Sequence, residues 1–270
     1  MGSGVMGVDF SGASAAGDAL WVTEATQTDV GVRIEDCYRA TERWGRDRES
    51  AHAGLVERIA ADDVRTAGLD FPFSLPQSLL DTECDGTWLG FLEWVGSDGG
   101  PADPAAFSAV CRETAEASVG KRDVRRETDA RRGALCPYTN RVRSMTYHGA
   151  RDVLGNLATR DDTAVVPMQN GDGASTLVCE VYPAATFGWL GAYREGYKNT
   201  DGARQRRESN VAAIEDCSVA LGEHRETYLE NHDALDSLAA AVSAACHSSR
   251  GSRPSHGSAC ASDRVSRSPS

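Results

Sequence analysis

The sequence predicts a single mixed α/β fold: a central sheet built from a three-stranded antiparallel meander plus parallel strands, flanked by helices. Three observations point there. The first forty residues hold three short apolar runs joined by Gly-, Asp- and Thr-bearing links, the pattern of hairpins. A segment of helical periodicity then gives way to a buried strand, so the order becomes strand, strand, strand, helix, strand. A helix of small apolar residues, "HDALDSLAAAVSAA" from His232 to Ala245, closes the foldable part.

Taken in order, "GVMGVDF" ends in the turn "SGASAAGD", which leads to "ALWVTEA"; "VGVRIEDCYRA" follows after "TQTD". "RESAHAGLVERIAA" places Ala51, Leu55 and Ile59 at helical spacing, and "VRTAGLDFPFSLP" reads as a buried strand closed by proline. Beyond Pro76, "QSLLDTECDGTWLGFLEWV" and "PAAFSAVCRETAEA" read as helices, with Trp88, Phe91, Leu92 and Trp94 as core. Residues 121–143, "KRDVRRETDARRGALCPYTNRVR", carry eight Lys or Arg and little apolar periodicity. Two strands, "TAVVPM" and "STLVCEVYP", flank "QNGDGA", whose "NGDG" reads as a hairpin turn. Helices are expected over 183–192, 204–221 and 231–246. From His247 the chain is Ser-rich, with too little apolar surface to order itself. The expected organisation is one domain over 1–246, with a helical and basic insertion near 77–160, and a disordered tail over 247–270.

Composition narrows the setting. Forty acids face 28 bases for a net charge of −12, and only Lys121 and Lys198 are lysines. An acid-rich, lysine-poor surface resembles that of halophilic proteins, which stay solvated in molar salt. No apolar run is long enough to span a bilayer, and no basic-then-apolar leader opens the chain, so a cytoplasmic protein without a membrane partner is expected. The eight cysteines stand singly, with no CxxC and no zinc-ligand spacing, which fits a reducing compartment and no structural metal.

The element order is that of ribonuclease-H-like folds, in which the first and fourth strands are neighbours at the sheet centre and a late helix crosses them. Asp9 ends the first strand and Asp70 lies in the fourth, in "LDFPF". Sites of α/β sheets gather beyond the C-terminal strand ends. On the closing helix Asp233 and Asp236 share a face that Ser237, Ala240 and Ala244 continue, all small. Such a stripe lets the helix approach the sheet and bring its acids toward Asp9 and Asp70. Clustered buried carboxylates repel unless cations compensate, and hard Mg²⁺ or Mn²⁺ prefers oxygen ligands. Asp9, Asp70 and Asp236 are the expected metal ligands of a catalytic set that adds Asp233 and Glu180. Each has a plainer reading: Asp233 suits the helix dipole behind an Asn231 cap, and Glu180 could pair with an arginine as a strut.

"VDFSGA", "GLDFPFSLP", "EVYPAATFGWLG" and "HDALDSLAAAVSA", in this order, resemble the domain-of-unknown-function 429 family over roughly residues 5–246. That family is described as predicted nucleases of ribonuclease-H-like fold. The resemblance implies roles for Asp9, Asp70, Asp233 and Asp236; the closing helix is also similar to that of Holliday-junction resolvases, whose usual set has no counterpart of Glu180. It implies a metal-dependent nuclease acting on DNA or RNA. Arg122, Arg125, Arg126, Arg131 and Arg132 are candidate phosphate contacts, since arginine grips phosphate through two donors, and Arg126 with Asp129 is the preferred pair there. Two other classes stay open: a non-catalytic binding module on this fold, and an ATP-dependent phosphotransferase of the actin and sugar-kinase type. The latter lacks a second Gly-rich phosphate loop and a duplicated core.

Overall fold

The structure, a computed structural model, describes residues 2–251. The meander forms first: β1 (Ser3–Asp9), β2 (Trp21–Thr28) and β3 (Gly31–Arg39) pair antiparallel in sequence order. Helix α1 (Arg48–Ile59) starts where Asp47 accepts from the Ser50 N–H, an N-cap that satisfies a helix donor. It returns the chain to β4 (Val64–Asp70), which lies parallel to β1 on the side away from β2.

The single helix expected over 77–95 is broken into α2 (Gln77–Glu83) and α3 (Trp88–Gly96). Asp85 and Gly86 both take positive φ between them, a left-handed turn no helix can contain. Trp88, Phe91 and Leu92 are buried and Trp94 packs against the same core, as read from the sequence. Next comes α4 (Pro104–Val119), capped by Asp103. The basic segment holds a short α5 (Glu127–Arg132). After it, α6 (Arg143–His148) passes through a π-helical turn, Gly149–Leu154, into α7 (Gly155–Leu157).

Strands β5 (Thr163–Val166) and β6 (Thr176–Glu180) correct the hairpin expectation: they run parallel to each other and to β4, so the segment 167–175 carries the chain back along the sheet instead of reversing it. Helix α8 (Pro183–Trp189) and α9 (Ala203–Glu215) follow. The helix expected to reach 221 stops early, because Ser218 at φ +62 turns the chain into β7 (Val219–Ala220), which pairs with Val32 and Arg33 of β3. Helix α10 (Arg225–Glu230) and the closing α11 (His232–Gly251) complete the fold. Of the expected tail, residues 247–251 continue α11, and the rest lies outside the described residues.

The seven strands form one sheet in the order β5-β6-β4-β1-β2-β3-β7. Period-two alternation sends successive side chains to opposite faces. Met6, Val8 and Phe10 enter a core shared with α1 through α4 and the α6–α7 segment, while Val5 joins a second core with α8 through α11. Among the described residues no helix is long and apolar enough to cross a membrane, and none of the described cysteines forms a disulfide.

Candidate metal centre

Asp9 and Asp70 are the last residues of neighbouring parallel strands and stand opposite each other in the ladder. Alternation puts Asp9 on the face of Gly7, and Asp70 on that of Gly68. Helix α11 covers this face at very close range. A β-carbon on Gly7 would lie 2.1 Å from the Ala241 nitrogen and 2.2 Å from the Ser237 carbonyl oxygen; one on Gly68 would lie 2.8 Å from the Ala240 carbonyl oxygen. Bare strand backbone therefore meets a helix surface of Ser237, Ala240, Ala241 and Ala244, all buried. The one hydroxyl among them is satisfied, since Ser237 Oγ lies 2.7 Å from Thr23 Oγ1. Leu235, Leu238 and Val242 turn into the core beside it.

This packing lowers Asp236 onto the strand ends. One carboxylate oxygen from each of Asp9, Asp70 and Asp236 lies within 4.8 Å of the other two. The loops beyond the strands are pinned. His52 Nε2 reaches the Ser11 carbonyl at 2.9 Å, Ser144 Oγ donates to the Gly12 carbonyl at 2.7 Å, and Trp88 Nε1 donates to the Phe73 carbonyl at 2.8 Å.

Asp236 is 1% exposed and has partners on both oxygens: Tyr197 OH donates to Oδ1 at 2.9 Å, and Lys198 Nζ stands 2.6 Å from Oδ2. Asp9 and Asp70 receive neither a hydrogen bond nor an ion pair from any described residue. Burial, then the charges of Asp236, Asp70 and Asp233, hold the Asp9 carboxyl well above the usual range against the pull of Lys198. Burial and Asp236 do the same to Asp70, with Lys198 again opposing and Glu180 adding to the rise. Asp236 is raised by burial, with Lys198 and Tyr197 pulling the other way. Burial opposes the Lys198 charge, but Asp236, Asp9 and Asp70 together hold its ammonium above the ordinary lysine value.

The other expected residues are placed differently. Asp233 lies outside the trio: it sits in the first turn of α11, where Asn231 Oδ1 accepts from the N–H groups of residues 233 and 234, and its carboxylate stands 2.6 Å from His232 Nδ1. Glu180 does not join either. In the ladder it stands opposite Leu69, one residue short of Asp70, so alternation turns it to the other face. There it accepts from the Phe73 N–H at 2.8 Å and from Arg126 Nη1 at 2.7 Å. Arg126 also holds Asp129, with Nε to Oδ2 at 2.9 Å. The Arg126–Asp129 pair thus forms, but it is spent on Glu180 as an internal strut and is not open to phosphate. Arg122 pairs with Glu116 and Arg131 with Glu127 at the surface, while Arg125 and Arg132 are exposed.

Two features escaped the sequence reading. Tyr197 and Lys198 belong to the irregular loop between α8 and α9, where no periodicity points inward; the signal available was the rarity of lysine. The second is a cluster around Asp152, whose Oδ2 stands 3.2 Å from Nδ1 of both His52 and His148, while Oδ1 accepts from Arg151 Nε at 2.7 Å. Burial alone would raise its carboxyl, yet these donors hold it far below the usual range. His52 is the link: it stacks on Phe10, ring centroids 4.7 Å apart, directly behind Asp9.

Together these elements define a mixed α/β protein with a largely buried three-carboxylate cluster at the C-terminal ends of two central strands, a donor set that could hold a metal ion. Residues 7–259 match the family described as protein of unknown function (DUF429), and the chain belongs to that family. No curated protein and no solved structure matches it.

Proposed function

We propose that this protein is a divalent-metal-dependent nuclease, hydrolysing phosphodiester bonds of nucleic acid with Mg²⁺ or Mn²⁺ held by Asp9, Asp70 and Asp236. The observation that carries the reading is a pair of carboxylates, Asp9 buried and Asp70 half-buried, facing a third acid with no donor of their own. Such groups cost several kcal/mol unless a cation or protons compensate, on the order of the penalty for any unpaired buried charge. An all-oxygen donor set suits hard Mg²⁺ or Mn²⁺ and lacks the nitrogen and sulfur that favour zinc. A divalent ion bound there supplies Lewis-acid polarisation of the phosphodiester.

The chain's own groups do the rest. Tyr197 fixes the orientation of Asp236 through its hydrogen bond. The adjacent strand ends hold Asp9 and Asp70 in one geometry, so little reorganisation accompanies substrate binding. Water attacks phosphorus in line, the bond to the leaving oxygen breaks, and the products are a phosphate terminus and a hydroxyl terminus. Exposed Arg125 and Arg132 suit flanking phosphates, with Arg122 and Arg131 available where their surface pairs open. In the saline, cytoplasmic setting that the composition suggests, screening falls to about 3 Å at molar salt, so direct hydrogen bonds must carry that contact.

The test is cleavage of labelled single-stranded, duplex and branched DNA and RNA with Mg²⁺ or Mn²⁺, from low to molar salt, for wild type and Asp70→Asn. Metal-dependent cleavage by wild type and none by the variant is expected. Equal cleavage by both refutes the assignment. Binding without cleavage makes the fold a binding module.

A further inference from the structure

We infer that Lys198 fills one of the cation positions of this centre, so that the site takes one divalent ion where a pair would otherwise bind. The inference rests on the proposed metal-dependent reading and deepens it by fixing the ion count. Lys198 Nζ stands 2.6 Å from Asp236 Oδ2, on a carboxylate that is 1% exposed, and Tyr197 already occupies the other oxygen. A second divalent ion would have to displace that ammonium.

The contact is built into the fold. Arg207, on α9, donates from Nη1 to the carbonyls of Tyr197 and Lys198 at 2.7 and 3.1 Å, and from Nε to that of Leu229 at 2.6 Å. Asn210, fully buried one turn further on, accepts from the Tyr193 N–H at 2.8 Å and donates to its carbonyl at 2.9 Å. Tyr197 packs edge-on against Phe187 with ring centroids 5.1 Å apart. The loop is thus fastened at Tyr193, at Tyr197 and at the backbone of Lys198, which brings the ammonium to Asp236 although the stem of the lysine stays 48% exposed.

Charge and shape agree. Asp9, Asp70 and Asp236 with one ammonium leave a double negative charge, which one divalent ion neutralises. Two ions beside the lysine would leave an equal positive excess beneath α11. Asp233 adds an outlying negative charge that is felt at Asp9 and Asp236, but its side chain is 32% exposed and it stands outside the trio, so it is not counted among the ligands. In a chain whose other basic residues besides Lys121 are all arginine, the one at this point is lysine. A compact ammonium is a point charge, as a metal ion is, whereas a planar guanidinium is not.

The experiment counts ions. Mn²⁺ is titrated into the full chain by calorimetry and by electron paramagnetic resonance, for wild type, Lys198→Met and Lys198→Arg. Melting in EDTA checks that each variant is folded. Wild type and Lys198→Arg are expected to bind one Mn²⁺. Lys198→Met, with the charge gone, is expected to bind two and to show a spin-coupled pair signal. Two ions in wild type overturn the inference, and so does a folded Lys198→Met that binds one or none. The wild-type count decides the matter even if a variant does not fold. Two ions with cleavage by wild type leave the nuclease reading standing, whereas no ion and no cleavage removes both.

Discussion

Adding one methyl group at Gly7 should damage the protein twice, in stability and in cation binding. The β-carbon of Gly7→Ala would meet backbone atoms of α11, at 2.1 Å from the Ala241 nitrogen and 2.2 Å from the Ser237 carbonyl oxygen. No rotamer relieves a backbone clash, so the helix must retreat by roughly 1.5 Å to reach an ordinary separation of about 3.5 Å. Overpacking of this kind costs about 1–3 kcal/mol, and the upper end applies because neither partner can rotate away. For a domain of this size, about 3 kcal/mol lowers the melting temperature by roughly 6–12 °C. The same retreat lifts Asp236 off Asp9 and Asp70, so Mn²⁺ affinity should fall about tenfold or more, the cost of misplacing a ligand by 1 Å or so. Thermal melting in EDTA and Mn²⁺ calorimetry read the two effects. Gly68→Ala, whose nearest contact is 2.8 Å, should lie between wild type and Gly7→Ala, and Gly96→Ala, with nothing within 4 Å, should be neutral. A Gly7→Ala protein that melts with wild type, or that is milder than Gly68→Ala, would refute the close-packing argument.

Removing one member of the cluster should have the opposite effect on the metal-free protein. Asp70→Asn removes a half-buried repulsive charge and is expected to raise stability in EDTA by about 1–3 kcal/mol while abolishing stabilisation by Mn²⁺; chemical denaturation with and without the ion checks both. The pH dependence follows from the same carboxyls. Asp9 and Asp70 are raised in the folded state, so between about pH 4 and their folded values the native chain holds protons that the unfolded chain has released. Metal-free stability should therefore be highest at the acid end of that window and fall as pH rises, with a shallower slope in Asp70→Asn; urea titrations at pH 5 and pH 8 test it, and parallel slopes would count against it. Asp152 is held low and works in reverse: its contribution is present above about pH 4 and is lost only as pH falls further. Arg126→Met leaves Asp129, 3% exposed, without its charge partner, and should cost about 3 kcal/mol with little effect on Mn²⁺ affinity; a large loss of affinity would place the strut in the metal centre after all.

What could be read from the sequence is local, and what could not is set by pairing across the chain. The approach of Asp236 to Asp9 and Asp70 was legible because two signals coincide: acids at strand ends, and a helix face kept small from Ser237 to Ala244. Glu180 lies on a correctly read strand, but which face it takes depends on register against β4, and a shift of one residue exchanges the faces. The direction of β5 and β6 was hidden for a related reason. Gly, Asn and Asp serve a crossing loop as well as a hairpin, and only partnership with β4 makes both strands parallel. Lys198 was invisible because it rests on irregular backbone, and Asp152 because it lies in the π-helical turn, where spacing says little about direction.

The centre draws Asp9 from β1 and Asp236 from α11, the first strand and the last helix among the described residues. Strand pairing alone sets Asp9 and Asp70 side by side, without their third acid. The three-acid cluster exists only once α11 has docked on Gly7 and Gly68, whichever strands have already paired. Docking of α11 is therefore the folding step that assembles the centre.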